Sequence, residues 1–476
     1  MPSVAQAVER LDALAATRPV ATLADAFAAA GHELALVGGP VRDAFLGRPV
    51  TDLDFTTDAT PDEIMAIIEP IARTTWDVGR QFGTIAALVS GERVEITTYR
   101  SDVYDGETRK PEVAFGTSID EDLVRRDFTV NAMALRLPHR ELVDDNGGVE
   151  DLLAGRLATP QAATISFRDD PLRMMRAARF TAQLGFTVSE DVRTAMTDLA
   201  DSLEIVSAER IREEFVKLLS TDDPVPGIRL LVETGLAERF LPELPAMSLE
   251  IDEHHHHKDV YEHSLTVLSQ AIGYEHERHA GEPPDVVLRL TALLHDIGKP
   301  ATRKLEPGGV VSFHHHDLVG AKLARKRLRA LRFDNDTIAS VTRLIELHLR
   351  FFGYTDGAWT DSAVRRYVRD AGPELERLHE LVRSDVTTRN RRKADRLGFA
   401  YDDLEQRIAH LREQEEIDAI RPELTGDDIM RILEIPPGRA VGEAYRYLLE
   451  MRMDEGPLGD DVVEARLREW WAAREA

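Results

Sequence analysis

Strand-forming segments in this 476-residue chain are confined to roughly its first 145 residues, and that segregation constrains its architecture more than any other feature. Short β-type runs stand at Glu33–Val37, Asp52–Thr57, Thr84–Ser90 and Arg93–Tyr99, the last two joined by a Gly91-Glu92 hairpin signal. Residues 1–30, rich in Ala and Leu, predict a lead-in helix ending near Gly31-His32. Thr60-Pro61, followed by Asp62 and Glu63, predicts a capped helix start. From Gly147 onward the texture is helical, with apolar residues three and four apart in Arg173–Gly185 and Ser207–Ser220. The pattern predicts an α+β protein. A head of mixed sheet and helices spans 31–146, followed by an all-α neck at 147–250, a second block at 251–400 and a tail at 401–476. Pro242 and Pro245 interrupt the helices at the boundary before the second block.

Composition removes several classes. With 43% hydrophobic and 30% charged residues, the chain has ordinary globular usage, against a collagenous, low-complexity or disordered one. No run approaches the ~20 apolar residues of a membrane helix. The opening MPSVAQAVERLDALAATRP carries acids and lacks the basic and apolar segments of a signal peptide, so a cytoplasmic location without a membrane partner is expected. The absence of cysteine excludes a disulfide-linked partner, thiolate metal sites and cysteine catalysis. The 59 basic and 85 acidic residues leave a net charge of −26, which argues against a generic nucleic-acid coat. Two segments, Leu318–Phe333 and Arg389–Arg396, are nevertheless basic. Lys322, Arg325, Lys326, Arg391, Arg392 and Lys393 are the candidate RNA contacts there, with solvated helix faces as the alternative.

The stretch LVGGPVRDAFLGRPVTDLDFTTDATP (Leu36–Pro61) carries the first constellation. Gly38-Gly39 after a strand lets backbone N–H groups approach a phosphate chain, and Pro40 opens a helix whose N-terminus favours the same anion. Arg42 lies in that first turn. Asp52 and Asp54, two apart on a strand, project from one face and form an oxygen cradle suited to Mg²⁺. Two such ions can activate an attacking hydroxyl and stabilise leaving pyrophosphate.

These residues resemble the first motif of the class II tRNA nucleotidyltransferase and bacterial poly(A) polymerase family, within the polymerase-β-like superfamily. The motif is carried by Gly38-Gly39-Pro40-Val41-Arg42-Asp43, Leu46-Gly47-Arg48 and Asp52-Leu53-Asp54. RRDFTVNAMAL (Arg125–Leu135), DDPLRMMRAARFTAQLGF (Asp169–Phe186) and ERIREEFVKLL (Glu209–Leu219) are similar to its later motifs, in order. Asp169 departs from the glutamate common at that position. The resemblance implies a polymerase-β-like head in which Asp52 and Asp54 bind catalytic Mg²⁺. Glu95 on a neighbouring strand is a third candidate carboxylate, with a surface acid as the alternative. It further implies that Gly38, Gly39, Arg42 and Asp43 line a triphosphate pocket and that Arg126, Asp127 and Asn131 contact sugar and phosphates. Arg176 and Arg179 join the nucleotide-binding set. Asp170 and Arg173 match the family's base reader, for which an i, i+3 helix ion pair is the bland alternative. A carboxylate accepting from an amino group and a guanidinium donating to a ring acceptor suit both C and A.

The second constellation comprises His263, His295-Asp296, His314–His316, His348 and Asp385. Imidazole with carboxylate suits Mn²⁺, Fe, Ni²⁺, Co²⁺ or Zn²⁺ rather than Ca²⁺. This block resembles the HD phosphohydrolase superfamily. His263, His295, Asp296 and Asp385 match its four-ligand pattern, and His316 and His348 match the extra histidines of members with a fuller site. Whether the block hydrolyses a phosphate ester or is structural stays open. His254–His257 is expected to be a loop before its first helix. Together the resemblances imply a template-independent enzyme adding CCA to tRNA 3′ ends from CTP and ATP, with pyrophosphate released. Poly(A) addition to RNA and an HD-type phosphohydrolase with an RNA-binding front domain are the alternatives.

Overall fold

Alternation of buried and half-open residues along short strands builds a seven-stranded mixed sheet in the first of two structural units, Met1–Phe240. The computed structural model describes residues 4–103, 112–116, 118–248, 259–307, 311–351, 353–354, 359–387, 390–415 and 421–475. The strands are β1 (Leu34–Val37), β2 (Leu53–Thr57), β3 (Ala72–Trp76), β4 (Thr84–Val89) and β5 (Glu92–Thr98). Beyond a separate ribbon of β6 (Arg100–Val103) and β7 (Glu112–Phe115), β8 (Ala134–Leu137) and β9 (Glu141–Val143) complete the sheet. Its order is β3-β4-β5-β2-β1-β8-β9, antiparallel except for β2 with β5.

Register gives each face its character. Phe55 lies opposite Ile96, and Ile96 opposite Ile85, all three buried; the helix Pro61–Ile68 packs on β4 and β5. On the other face Asp54 lies opposite Glu95, Glu95 opposite Ala86, and Ala86 opposite Trp76. Directly opposed residues share a face, so one row of side chains crosses four strands. Helix Pro61–Ile68 begins as expected: the Thr60 hydroxyl accepts from the Glu63 N–H while Glu63 accepts from the Thr60 N–H.

Several expectations change. The lead-in segment is two helices, Val4–Ala15 and Arg18–Ala30, because Pro19 in the first turn of the second has no N–H to extend a preceding helix. The hairpin turns at Ser90-Gly91, both with positive φ, since Val89 pairs with Glu92. Strands β3, β8 and β9 were not expected. β3 is an edge strand whose residues are all half-buried or exposed, and β8 and β9 are too short to show a period. The segments expected to be all-α hold two minimal ribbons, Arg156–Leu157 with Thr187–Val188 and Lys304–Leu305 with Val311–Ser312.

After the sheet, helix Leu172–Leu184 packs against Ala208–Leu219 and Val225–Glu233. The second unit, Leu241–Ala476, is predominantly helical. Val260–Arg278, Val286–Leu294, Asn335–Leu347 and Leu375–Ser384 pack around the histidines, and His316–Ala330 lies on Asn335–Leu347. Three tail helices, Gly426–Leu433, Arg439–Glu455 and Asp460–Glu475, enclose a core of Ile429, Ile432, Leu448, Met451, Val463 and Leu467. Among the described residues no helix is long and apolar enough to cross a membrane. His254–His257 lies outside the described residues.

Candidate active site and metal centre

The turn after β1 and the open face of β2 and β5 enclose a cavity of about 670 Å³. Gly38, Gly39, Arg42, Asp43, Asp52, Asp54, Glu95, Arg126, Asp127, Asn131, Arg176 and Arg179 all line it. Gly38 has φ +74°, and a Cβ there would stand 3.3 Å from Arg126 Nη1, so glycine keeps this wall open. Asp54 is pushed up to about 6 by burial and by the neighbouring charges of Glu95 and Asp52, against the opposing pull of Arg126. Crowded carboxylate oxygens of this kind suit a hard divalent cation such as Mg²⁺. Asp52, Asp54 and Glu95 are the residues that could hold it.

Much of the cationic wall is already committed to protein partners. Buried Arg42 donates through Nε and Nη2 to Asp43, 2.9 Å each, and through Nη1 to Asn131 Oδ1 at 2.7 Å. Asn131 in turn donates to Asp127 (3.0 Å), which also accepts from the Phe128 N–H and from Arg176 Nε (2.7 Å). Arg42 and Asp127 thereby tie the turn to the helix Leu172–Leu184 while both still line the cavity. Arg176 beside Asp127 holds its carboxyl well below the ordinary carboxylate range despite burial. A carboxyl depressed in the folded state stabilises above its unfolded pKa of about 4 and loses that contribution as pH falls below it. The stability advantage of wild type over Asp127→Asn is thus expected to be full at pH 7 and to shrink steadily in melts taken from pH 5 downward. A pH-independent difference would refute this.

Sequence inspection missed further lining residues: Thr51, Arg93, Phe180, Gln183 and Lys217. Phe180 lies beneath Arg179, whose guanidinium carbon is 4.1 Å from the ring centroid. Buried Glu214 gathers Arg179 (2.7 Å) and Lys217 (3.1 Å). The signal was present as the helical spacing of Arg176, Arg179, Phe180 and Gln183. Asp170 and Arg173 are not among the cavity's lining residues, nor paired with each other through their side chains. Asp170 accepts from Arg210 (3.0 Å), and Arg173 donates to Ser166 Oγ (2.8 Å) and to the Arg125 carbonyl (2.5 Å).

In the second unit the six expected metal ligands converge. His263 Nε2 is 2.9 Å from Asp385 and 3.6 Å from Asp296. The Nε2 atoms of His295, His316 and His348 lie 3.2, 3.3 and 3.9 Å from Asp296 oxygens. These three buried nitrogens have no hydrogen-bond partner among the described residues. Each ring is aimed by its other nitrogen, which contacts the carbonyl of Ala292, Phe313 or Ile345 at 2.7–2.9 Å. His263 Nδ1 contacts the Thr387 hydroxyl at 3.1 Å. Oriented imidazoles with orphaned inward nitrogens are the arrangement a metal centre requires. The ligand atoms form two trios, His263-His295-Asp385 and Asp296-His316-His348. Burial and the neighbouring His295 hold His348 down to about 4, keeping it neutral and able to ligate. Lys299, unmarked in the sequence reading, reaches Asp296 at 2.5 Å; its signal was its position one helical turn after the His-Asp doublet.

Of the RNA candidates, Lys322, Arg325 and Lys326 are exposed on helix His316–Ala330, and Arg391 and Arg392 at the start of helix Arg391–Glu415. The side chain of Lys393 lies outside the described part of the molecule.

Adjacent-strand carboxylates facing a polar cavity beside a Gly-Gly turn define the first unit as a nucleotidyltransferase head. Residues 34–158 match the family model described as the poly A polymerase head domain. Residues 185–247 match a probable RNA and SrmB-binding site of polymerase A, and 260–455 match the HD domain. The A-adding tRNA nucleotidyltransferase of Deinococcus radiodurans is 35% identical over 428 residues, spanning 88% of this chain and 91% of that protein. The CCA-adding enzyme of Geobacillus thermodenitrificans is 43% identical over 215 residues, 45% of this chain and 52% of that one, so this match covers about half of that enzyme. The crystal structure of the Bacillus stearothermophilus CCA-adding enzyme in complex with CTP superposes with a TM-score of 0.66 at 25% identity. That alignment covers 96% of this chain and 98% of the other. The chain belongs to the class II CCA-adding/poly(A) polymerase family with an HD domain, and it is a tRNA nucleotidyltransferase.

Proposed function

We propose that this enzyme builds the 3′-terminal CCA of tRNA from CTP and ATP. The 3′-hydroxyl attacks the α-phosphorus and pyrophosphate leaves. The observation that carries the proposal is the juxtaposition of Asp54 and Glu95 across β2 and β5 in a cavity walled by Arg126, Arg176 and Lys217. Divalent cations held by Asp52, Asp54 and Glu95 would lower the hydroxyl's pKa and offset pyrophosphate charge. Arg126 and Lys217, which line the cavity, would meet the triphosphate. Asp170 and Arg173 retain the base-reading role on chemical grounds, and exchanging Arg210 and Ser166 for a base edge would release them. A second reading, addition of the terminal A alone, is favoured by the Deinococcus relative, whose similarity runs through nearly the whole chain. Three tRNA transcripts, ending before CCA, after C and after CC, given CTP, ATP or both, separate the readings. Two C residues and one A, then arrest, support CCA addition. Extension of only the CC transcript supports A addition, and long A tails support poly(A) synthesis.

For the HD centre we propose transition-metal binding and phosphate-ester hydrolysis. Bound metal stabilises the folded state by mass action. Chelator treatment is therefore expected to lower the melting temperature and metal content, restored by Mn²⁺, Co²⁺, Ni²⁺ or Zn²⁺. His348→Ala should abolish most of that restoration. Equal melting with and without metal would refute the centre.

A further inference from the structure

The row Asp54–Glu95–Ala86–Trp76 does not end at the catalytic carboxylates. Neighbouring strands lie about 4.8 Å apart, so Trp76 on the edge strand β3 stands about 10 Å beyond Glu95 on the same face. Only the small Ala86 intervenes. There a second cavity of about 400 Å³ is lined by Trp76, Val78, Thr84 and Ala86, and it shares Arg93 and Glu95 with the nucleotide cavity. Its rim is apolar and open to solvent: Trp76 is 43% exposed and Val78 87%. Arg93 also lines this cavity; its side chain is 71% exposed and pairs with Glu95 at 2.9 Å. An aromatic ledge beside a solvated guanidinium, continuous with a polymerising site, matches an unpaired nucleotide: a π-face for the base and a cation for its phosphate.

We propose that this ledge is the acceptor subsite, where the base of the nucleotide just behind the reacting 3′ terminus stacks on Trp76 while Arg93 meets the intervening phosphate. The incoming triphosphate fills the larger cavity on the Gly38-Gly39 side of the carboxylates. The acceptor strand then arrives from the β3 edge and its 3′-hydroxyl falls beside Asp54 and Glu95. Stacking accepts any base, so the subsite tolerates an acceptor end that changes at every round of addition. The inference rests on the proposed addition to RNA 3′ ends.

The test uses full-length enzyme and two RNA acceptors, one intact and one abasic at the nucleotide preceding the 3′ terminus. Loss of one stacked base is expected to raise the acceptor KM of Trp76→Ala about tenfold, with the KM for nucleoside triphosphate unchanged. Trp76→Phe should restore most of the loss. The abasic acceptor should cost wild type a similar factor and cost Trp76→Ala nothing further, a coupling that general destabilisation does not produce. An unchanged acceptor KM in Trp76→Ala, or an undiminished abasic penalty in that variant, overturns the subsite while leaving nucleotide addition intact. Failure of wild type to extend the intact acceptor overturns both this subsite and the reading on which it rests.

Discussion

Asp54→Asn is expected to lower kcat for nucleotide addition by about a thousandfold or more, equivalent to about 4 kcal/mol of lost transition-state stabilisation. The substitution keeps size but removes the charge on which divalent-cation binding depends, and turns one acceptor oxygen into an NH2 donor. Asp54 is the pivot because it lies within β2 opposite Glu95 on β5 and is more enclosed than Asp52, which stands just before the strand. Burial, together with the like charges of Glu95 and Asp52, pushes it up to about 6, a cost in the free enzyme that a bound cation relieves. The fold itself should tolerate the change, since neutralising one of three crowded carboxylates removes repulsion. Single-turnover rates and melting curves together check this. A tenfold or smaller loss in rate, or a large drop in melting temperature, would refute the assignment.

The largest stability effect is expected at Arg289. This guanidinium is fully buried and grips Glu275 with two bonds, Nε at 3.0 Å and Nη2 at 2.9 Å. The pair clamps helix Val260–Arg278, which carries His263, to helix Val286–Leu294, which runs directly into His295 and Asp296. Arg289→Ala leaves Glu275 buried without its counter-charge, a loss of about 3–5 kcal/mol in the second unit. The double variant Arg289→Met with Glu275→Gln should recover much of that, because no uncompensated charge remains. Urea unfolding of the three proteins measures it. Equal stability of Arg289→Ala and wild type would show that the pair contributes nothing.

The same second unit shows how tightly the ligand set is built. At Gly298, just after the His-Asp doublet, a Cβ would fall 2.1 Å from the His316 carbonyl oxygen and 2.6 Å from the Gly320 N. Only glycine lets the segment carrying Asp296 approach the one carrying His316 this closely. The glycine is visible in the sequence, but the backbone it must accommodate is supplied by a helix some twenty residues away.

What the chain's linear order determined is local. The strand–turn–helix of Leu34–Leu46, the Asp52/Asp54 pair, the capped helix at Pro61 and the amphipathic helices from Leu172 onward follow from spacing and capping chemistry. The six candidate HD-type ligands could be picked out along the chain, and the structure gathers them into two trios. What only the tertiary structure decided concerns pairing across distance. Glu95 became part of the site because β5 lies parallel beside β2 in a register that sets it opposite Asp54. Arg42 and Asp127, far apart in sequence, line the same cavity and are joined through Asn131. Trp76, on an edge strand with no alternating pattern, gained its place only through two further register steps. Spacing along a chain determines which face a side chain takes. Sheet register and helix packing determine what stands opposite it, because those depend on contacts between segments far apart in sequence.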